Sequence, residues 1–279
     1  MRVSRRGFLG WMSALSVLAG TGYGTWESMA LRLTRYDLIS PRWPKDYPAL
    51  NIVVTADFHV GCPSVSLERT AEIVARLNAL EPDIICLLGD YLTAGVALGH
   101  YVGPAPIAAA LGGLRAKLGV FAVLGNHDWY MDGRGIWHAL AQQGITVLEN
   151  SAAPVRLGGG RGVWIAGLAD DQTRTPDLDA ALAGADGDFP VIMLSHDPAT
   201  FLTMNDRPVV TLCGHTHGGQ IATPWGALTI PGRAPLRYAY GHIQEDGKDM
   251  IVTSGLGTTK LPLRAFAMPE IVQISLRAA

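Results

Sequence analysis

At 279 residues, 48% hydrophobic and 16% charged, the chain can bury one large core or two small ones, and its composition argues against disorder. Its formal net charge is −2 and no long basic run follows the first few residues, which argues against a nucleic-acid partner, since phosphate-backbone affinity needs clustered Lys and Arg. The cysteines Cys62, Cys86 and Cys213 form no CxxC pair, so neither a zinc ribbon nor a thioredoxin-type motif is present, and packing is the simplest role for each.

Residues 1–30 differ in kind from the rest. Ser4-Arg5-Arg6-Gly7-Phe8-Leu9 is a twin-arginine pattern, followed by an apolar stretch from Phe8 to Ala19. Together they read as an export signal of the twin-arginine type, which places the protein in the periplasm or at the outer side of the cytoplasmic membrane. The stretch falls short of the roughly 18 to 20 apolar residues of a comfortable span. Ser28-Met29-Ala30 offers a small-x-small cleavage site, and an uncleaved amino-terminal anchor is the alternative. A single folded domain is expected over residues 31–279.

After a Pro-rich lead-in (Pro41, Pro44, Pro48), apolar runs alternate with helical patterns. Strands are expected at 51–56, 84–88, 120–124 and 145–148, and helices at 64–80, 106–117 and 136–143. The first helix carries Leu67, Ala71, Val74, Leu77 and Leu80 on one face; Gly112 and Gly113 weaken the second. Beyond Asn150 the strands are denser, at 163–166, 191–194, 209–212, 250–253 and 271–275. Strand-helix-strand order at the front implies parallel pairing with right-handed crossovers. The strand-rich back half implies a second sheet packed on the first, with helices outside.

Five of these strands end in residues that bind metals: Asp57/His59, Asp90, Asn126/His127/Asp128, His196, and His215/His217. In open α/β sheets ligand sites gather at the carboxyl ends of strands, so these side chains can converge. In Asp57-Phe58-His59 an extended backbone would point the first and third side chains the same way, with Phe58 toward the core, and His215-Thr216-His217 repeats the spacing. Asp90, behind a glycine that lets the backbone come close, can bridge two cations. Asn126 adds a neutral oxygen. With only two carboxylates in the set, two divalent ions would keep a net positive charge suited to an anionic phosphate.

The order D-x-H, G-D, G-N-H-D, a lone H and G-H-T-H resembles the calcineurin-like metallophosphoesterase superfamily. Gly214-His215-Thr216-His217-Gly218-Gly219-Gln220, with Ser254-Gly255-Leu256-Gly257 and Pro262-Leu263-Arg264, is similar to its exported twin-arginine phosphodiesterase subgroup. The resemblance implies an α/β four-layer sandwich of two mixed β-sheets flanked by helices. It also implies two divalent metal ions, commonly Mn, Fe or Zn. Asp57, His59, Asp90 and His217 would hold one, and Asp90, Asn126, His196 and His215 the other. Many members carry an acid three positions after the Gly-Asp aspartate; Thr93 stands there.

The expected chemistry is in-line attack on phosphorus by a metal-bridging hydroxide. His127 would protonate the leaving oxygen, with Asp128 orienting its imidazole. Arg264 could hold a substrate phosphate oxygen or be a solvated surface residue. Asp170 and Asp171 read as loop residues, and Trp225, Tyr238 and Tyr240 as either substrate face or core. The substrate would be a small phosphorylated molecule, a lipid-linked one included, with a membrane surface as a further contact. A UDP-diacylglucosamine-type pyrophosphatase and a non-catalytic scaffold are the alternatives; intact ligands count against the scaffold.

Overall fold

A computed structural model describes residues 20–185 and 187–279. The twin-arginine pattern and the apolar stretch behind it lie outside these residues. The described chain starts in a helix, α1, at residues 20–29. No helix among the described residues is long and apolar enough to cross a membrane.

Two six-stranded sheets follow. In the first, β1 (Arg32–Ser40) runs parallel to β14 (Glu270–Ala278), and β14 is antiparallel to β2 (Leu50–Thr55). From there β2, β3 (Ile84–Leu87), β4 (Val120–Ala122) and β5 (Thr146–Val147) pair in parallel. In the second sheet β7 (Arg161–Gly167), β8 (Val191–Ser195), β9 (Pro208–Cys213) and β13 (Lys248–Val252) are parallel. The antiparallel strands β6 (Ser151–Gly158) and β12 (Gly241–Glu245) form its edges. A short hairpin, β10 (Ala222–Thr223) with β11 (Gly226–Ala227), stands apart.

The continuous apolar runs follow from burial on both faces. In β3, Ile84 and Cys86 point into the core between the sheets, while Ile85 and Leu87 point toward the helices. That outer layer is α2 (Leu67–Asn78), α3 (Pro104–Leu111) and α5 (Gly133–Gln142), which bury Ile73, Leu77, Ile107, Leu111, Ile136 and Leu140. The second sheet is covered by α6 (Leu178–Ala183) and a 3-10 segment, Pro198–Thr203. Helix, sheet, sheet and helix make the α/β four-layer architecture expected of the sequence.

Differences from expectation lie at edges and ends. β1, β6 and β12 are edge strands with one exposed face and no dense apolar run. α2 starts at Leu67 because the Ser66 hydroxyl accepts from the Arg69 N–H and caps it. α3 stops at Gly112. A further helix, α4 (Asn126–Met131), begins on a candidate ligand; its six residues are too few to show a period.

Candidate metal centre

All seven expected ligands meet at one place. Each lies one to four residues beyond a strand end: Asp57 and His59 after β2, Asp90 after β3, Asn126 after β4, His196 after β8, His215 and His217 after β9. The first sheet supplies four of them and the second sheet three, so the cluster sits on the seam between the sheets. Three donor groups form, each with ligand atoms within 4.8 Å of one another: Asp57/His59/His217, His59/Asp90/His127 and Asp90/His196/His215. Asp90 Oδ2 lies 3.3 Å from His196 Nε2 and 3.6 Å from His59 Nε2, between the two halves. His59 Nε2 stands 3.2 Å from His217 Nε2, and Asn126 Oδ1 3.2 Å from His196 Nε2.

The backbone brings them together in an unexpected way. Asp57 (φ 53°), His59 (φ 43°), Asp90 (φ 56°), His215 (φ 68°) and His217 (φ 53°) are all left-handed rather than extended. Each such residue costs about 1–3 kcal/mol unless its surroundings enforce it. Here the loops enforce one another: the Asp57 N–H donates to Gly89 O and the His59 N–H to Asp90 O, both at 2.9 Å. Phe58 still packs into the core as expected. The ligands also press on bare backbone. A Cβ on Gly255 would sit 2.6 Å from the Asp57 side chain, and one on Gly125 2.7 Å from His196 Nε2.

The ring nitrogens turned away from the cluster are held. His59 Nδ1 lies 3.1 Å from Leu92 O and His196 Nδ1 2.7 Å from Leu88 O, and since a carbonyl oxygen only accepts, each Nδ1 carries a hydrogen and each Nε2 is the nitrogen turned to the cluster. Burial pushes His59 and His215 down to about 3 and holds His217 well below the ordinary range, so these three rings are neutral and able to ligate. His196 behaves oppositely: burial disfavours its charge, but the Asp90 carboxylate outweighs this and holds its pKa well above normal. Asp90 is held well below normal although burial opposes it, because His196 faces it. Burial raises Asp57 to about 7 against the pull of His196. Imidazoles, two carboxylates and an amide oxygen around shared space form a donor set that fits divalent cations.

The site opens into a cavity of about 660 Å³, lined by Asp90, Asn126, His127, His215, His217 and Gln172 among others. His127 is half-buried at the wall, its ring 4.7 Å from that of His59, and its Nδ1 has no hydrogen-bond partner among the described residues.

Two expected roles change. Asp128 does not orient His127. Its carboxylate accepts from the N–H groups of Asp90, Tyr91, Leu92 and Gly125 at 2.8–3.0 Å, and so pins the loop that carries Asp90. Arg264 neither meets substrate nor faces solvent. It is fully buried, and its guanidinium donates to the carbonyls of Gly257, Ser254 and Ala267. Its 3.4 Å approach to His217 Nδ1 is a long contact beside those bonds. Asp170 is a buried loop residue that accepts from Thr173, and Asp171 pairs with Arg233. Thr93 is buried, and its hydroxyl has no hydrogen-bond partner among the described residues.

Sequence reasoning missed Asp197 and Gln172, which approach His215 Nε2 at 3.6 Å and 2.6 Å and fix the ring whose Nδ1 faces His196. An acid directly after a ligand histidine was a readable signal for Asp197; Gln172, on a distant loop, had none. Glu27 of α1 was missed too: it accepts from the N–H groups of Phe266 and Ala267, and Gly24 O accepts from the Arg264 N–H.

Residues 50–219 match the calcineurin-like phosphoesterase family model. Over 99% of both chains the sequence is 31% identical to an uncharacterized metallophosphoesterase, YkuE, of Bacillus subtilis. It is 29% identical to an uncharacterized metallophosphoesterase of Aquifex aeolicus, over 94% of this chain and 98% of that one. A transmembrane protein with metallophosphoesterase domain from Danio rerio is 31% identical over 85% of this chain, which spans 55% of that protein's length. With the matched segment running from β2 through His217, the chain belongs to the calcineurin-like phosphoesterase family of metal-dependent phosphoester hydrolases.

Proposed function

We propose that this hydrolase is a phosphodiesterase-type enzyme working with two divalent cations, Mn, Fe or Zn. Asp57, His59, Asp90 and His217 would hold one, and Asp90, Asn126, His196 and His215 the other. The observation that carries this is Asp90, a single carboxylate poised between two sets of donors. The ions, when bound, supply positive charge for the phosphate and lower the pKa of water. His127 does the proton work. It stands at the cavity wall with an Nδ1 that has no hydrogen-bond partner among the described residues, and its own N–H is tied to Asp90 Oδ1 at 2.9 Å, so it keeps station beside the leaving oxygen.

Ile221 and Leu261 in the cavity wall favour a second reading, a lipid-linked substrate such as a UDP-diacylglucosamine-type pyrophosphate. The deciding experiment assays metal-loaded full-length protein on a soluble phosphodiester, a phosphomonoester and a UDP-lipid pyrophosphate. Preference for the soluble diester supports the first reading. Preference for the lipid pyrophosphate replaces it with the second, and activity on the monoester alone overturns both. For location the proposal is export by the twin-arginine route. Replacing Arg5 and Arg6 with Lys should leave active enzyme in the cytoplasm, and unchanged fractionation would remove the export reading.

A further inference from the structure

Beside the metal cavity lies a second hollow of about 460 Å³ with a different character. Its floor is made of small residues, among them Gly218, Ala222, Ala227 and Ala267, and its rim of Trp225, Leu236 and Phe266. The two hollows share a wall. The turn His217–Gly219 gives Gly218 to the apolar side and His217 and Gly219 to the metal side. The β10–β11 hairpin behaves likewise, with Ala222 and Gly226 facing the apolar hollow and Ile221 and Thr229 the cavity.

Large apolar side chains stand in solvent around both mouths. Trp225 at the hairpin tip is 92% exposed and Leu228 beside it 67%. Phe266 (55%) continues through Tyr23 to Trp26 of α1, with ring centroids 5.9 Å apart at each step. Leu261 edges the metal cavity on its other side, and Leu98, 89% exposed, sits on the loop whose Ala97 N–H donates to Lys260 O. Exposed hydrophobic residues scattered singly need no explanation; several gathered at two adjoining hollows, one of them functional, do.

We propose that this face is a bilayer-docking surface. Its rings would lie at the headgroup level, the apolar hollow would take a lipid hydrocarbon chain, and the metal centre would open toward phosphate at the membrane. Two observations commit the occupant to a bilayer rather than a protein. The aromatic row runs onto α1, whose described part opens at residue 20, and in the sequence the apolar stretch Phe8–Ala19 comes directly before it, so the chain preceding this face is itself membrane-seeking in sequence. The arginines lining the apolar hollow are already neutralised, Arg32 by Glu270 at 3.1 Å and Arg237 by Glu245 at 2.8 Å, which leaves Lys260 at the metal cavity without an ion pair among the described residues. Attraction therefore comes mainly from apolar insertion, and its salt dependence is small. The surface is independent of which phosphate ester the site cleaves.

The test uses the full chain carrying Trp225→Cys or, as control, Ile39→Cys, each labelled with an environment-sensitive fluorophore. The native cysteines are buried, and Ile39 lies at the far end of β1 from Arg32. On adding phosphatidylcholine vesicles, the label at 225 should shift to the blue and the label at 39 should not, with little change between low and high salt. Trp225→Ala with Leu228→Ala, both at exposed positions, should weaken vesicle partitioning about tenfold or more. Vesicle binding without a shift at 225 would mean that another segment anchors the chain, and the proposal falls. It falls equally if the chain does not bind, if both labels shift, or if the 225 label shifts with protein concentration alone, which would mark a second copy as the occupant.

Discussion

His127 and Arg264 exchange character between sequence and structure. His127 keeps its place at the cavity wall, with a buried Nδ1 that has no hydrogen-bond partner among the described residues. His127→Ala should retain metal and lower turnover by roughly 10² to 10⁴, with a smaller loss on esters whose leaving group needs no proton; kinetics on a leaving-group series checks this. Arg264, by contrast, is a structural brace, and burial drops its pKa to about 10 without freeing it from charge. Arg264→Met would orphan several carbonyls and should cost about 3 kcal/mol or more, read as a fall in unfolding midpoint. A substrate contact would instead raise KM at unchanged stability. The ligands were legible because metal chemistry restricts residue type and each follows an apolar run. The left-handed backbone was not, since Asp and His at positive φ leave no mark in composition. Nor was the direction of Asp128: an acid beside a histidine reads as its partner, whereas four backbone N–H groups claimed it.

Among the elements, the central strands and the short edge β5 were legible, while the edges β1, β6 and β12 were not, for one physical reason. A strand buried on both faces is apolar nearly throughout, as β3, β8 and β9 are apart from Ser195 and Thr211, while an edge strand such as β1 carries Arg32, Arg35 and Asp37. α1 shows what local reading cannot reach. It is fastened by Glu27 to a loop more than two hundred residues away in sequence. Glu27→Ala leaves the Phe266 and Ala267 amides without their acceptor and should cost about 1–3 kcal/mol. Hydrogen exchange should quicken at those two amides and along α1, and leave β8 and β9 unchanged.

At the scale of the molecule the metal centre is a fastening between two sheets that otherwise meet through apolar contacts. The first sheet contributes Asp57, His59, Asp90 and Asn126, and the second His196, His215 and His217. A cation bound to both halves stabilises the native state by mass action, about 2.7 kcal/mol at a hundred times the dissociation constant. Chelation should therefore lower the unfolding temperature by several degrees, in proportion to the metal removed, and calorimetry before and after reloading checks it. Each of the two proposed ligand sets draws on both sheets.

The absence of side chains at Gly125 and Gly255 has a consequence for how this sequence can vary. A methyl group at either position would occupy the volume of a ligand atom, 2.7 Å from His196 Nε2 or 2.6 Å from Asp57. Neither glycine lines the metal cavity or donates a side-chain electron pair, yet alanine there would displace a candidate ligand as surely as a change in that residue itself. In a saturation survey of every position, these two glycines should group with the histidines and aspartates rather than with the loops that contain them. A tolerance map of this chain would trace the metal centre partly through residues that have nothing to bind with.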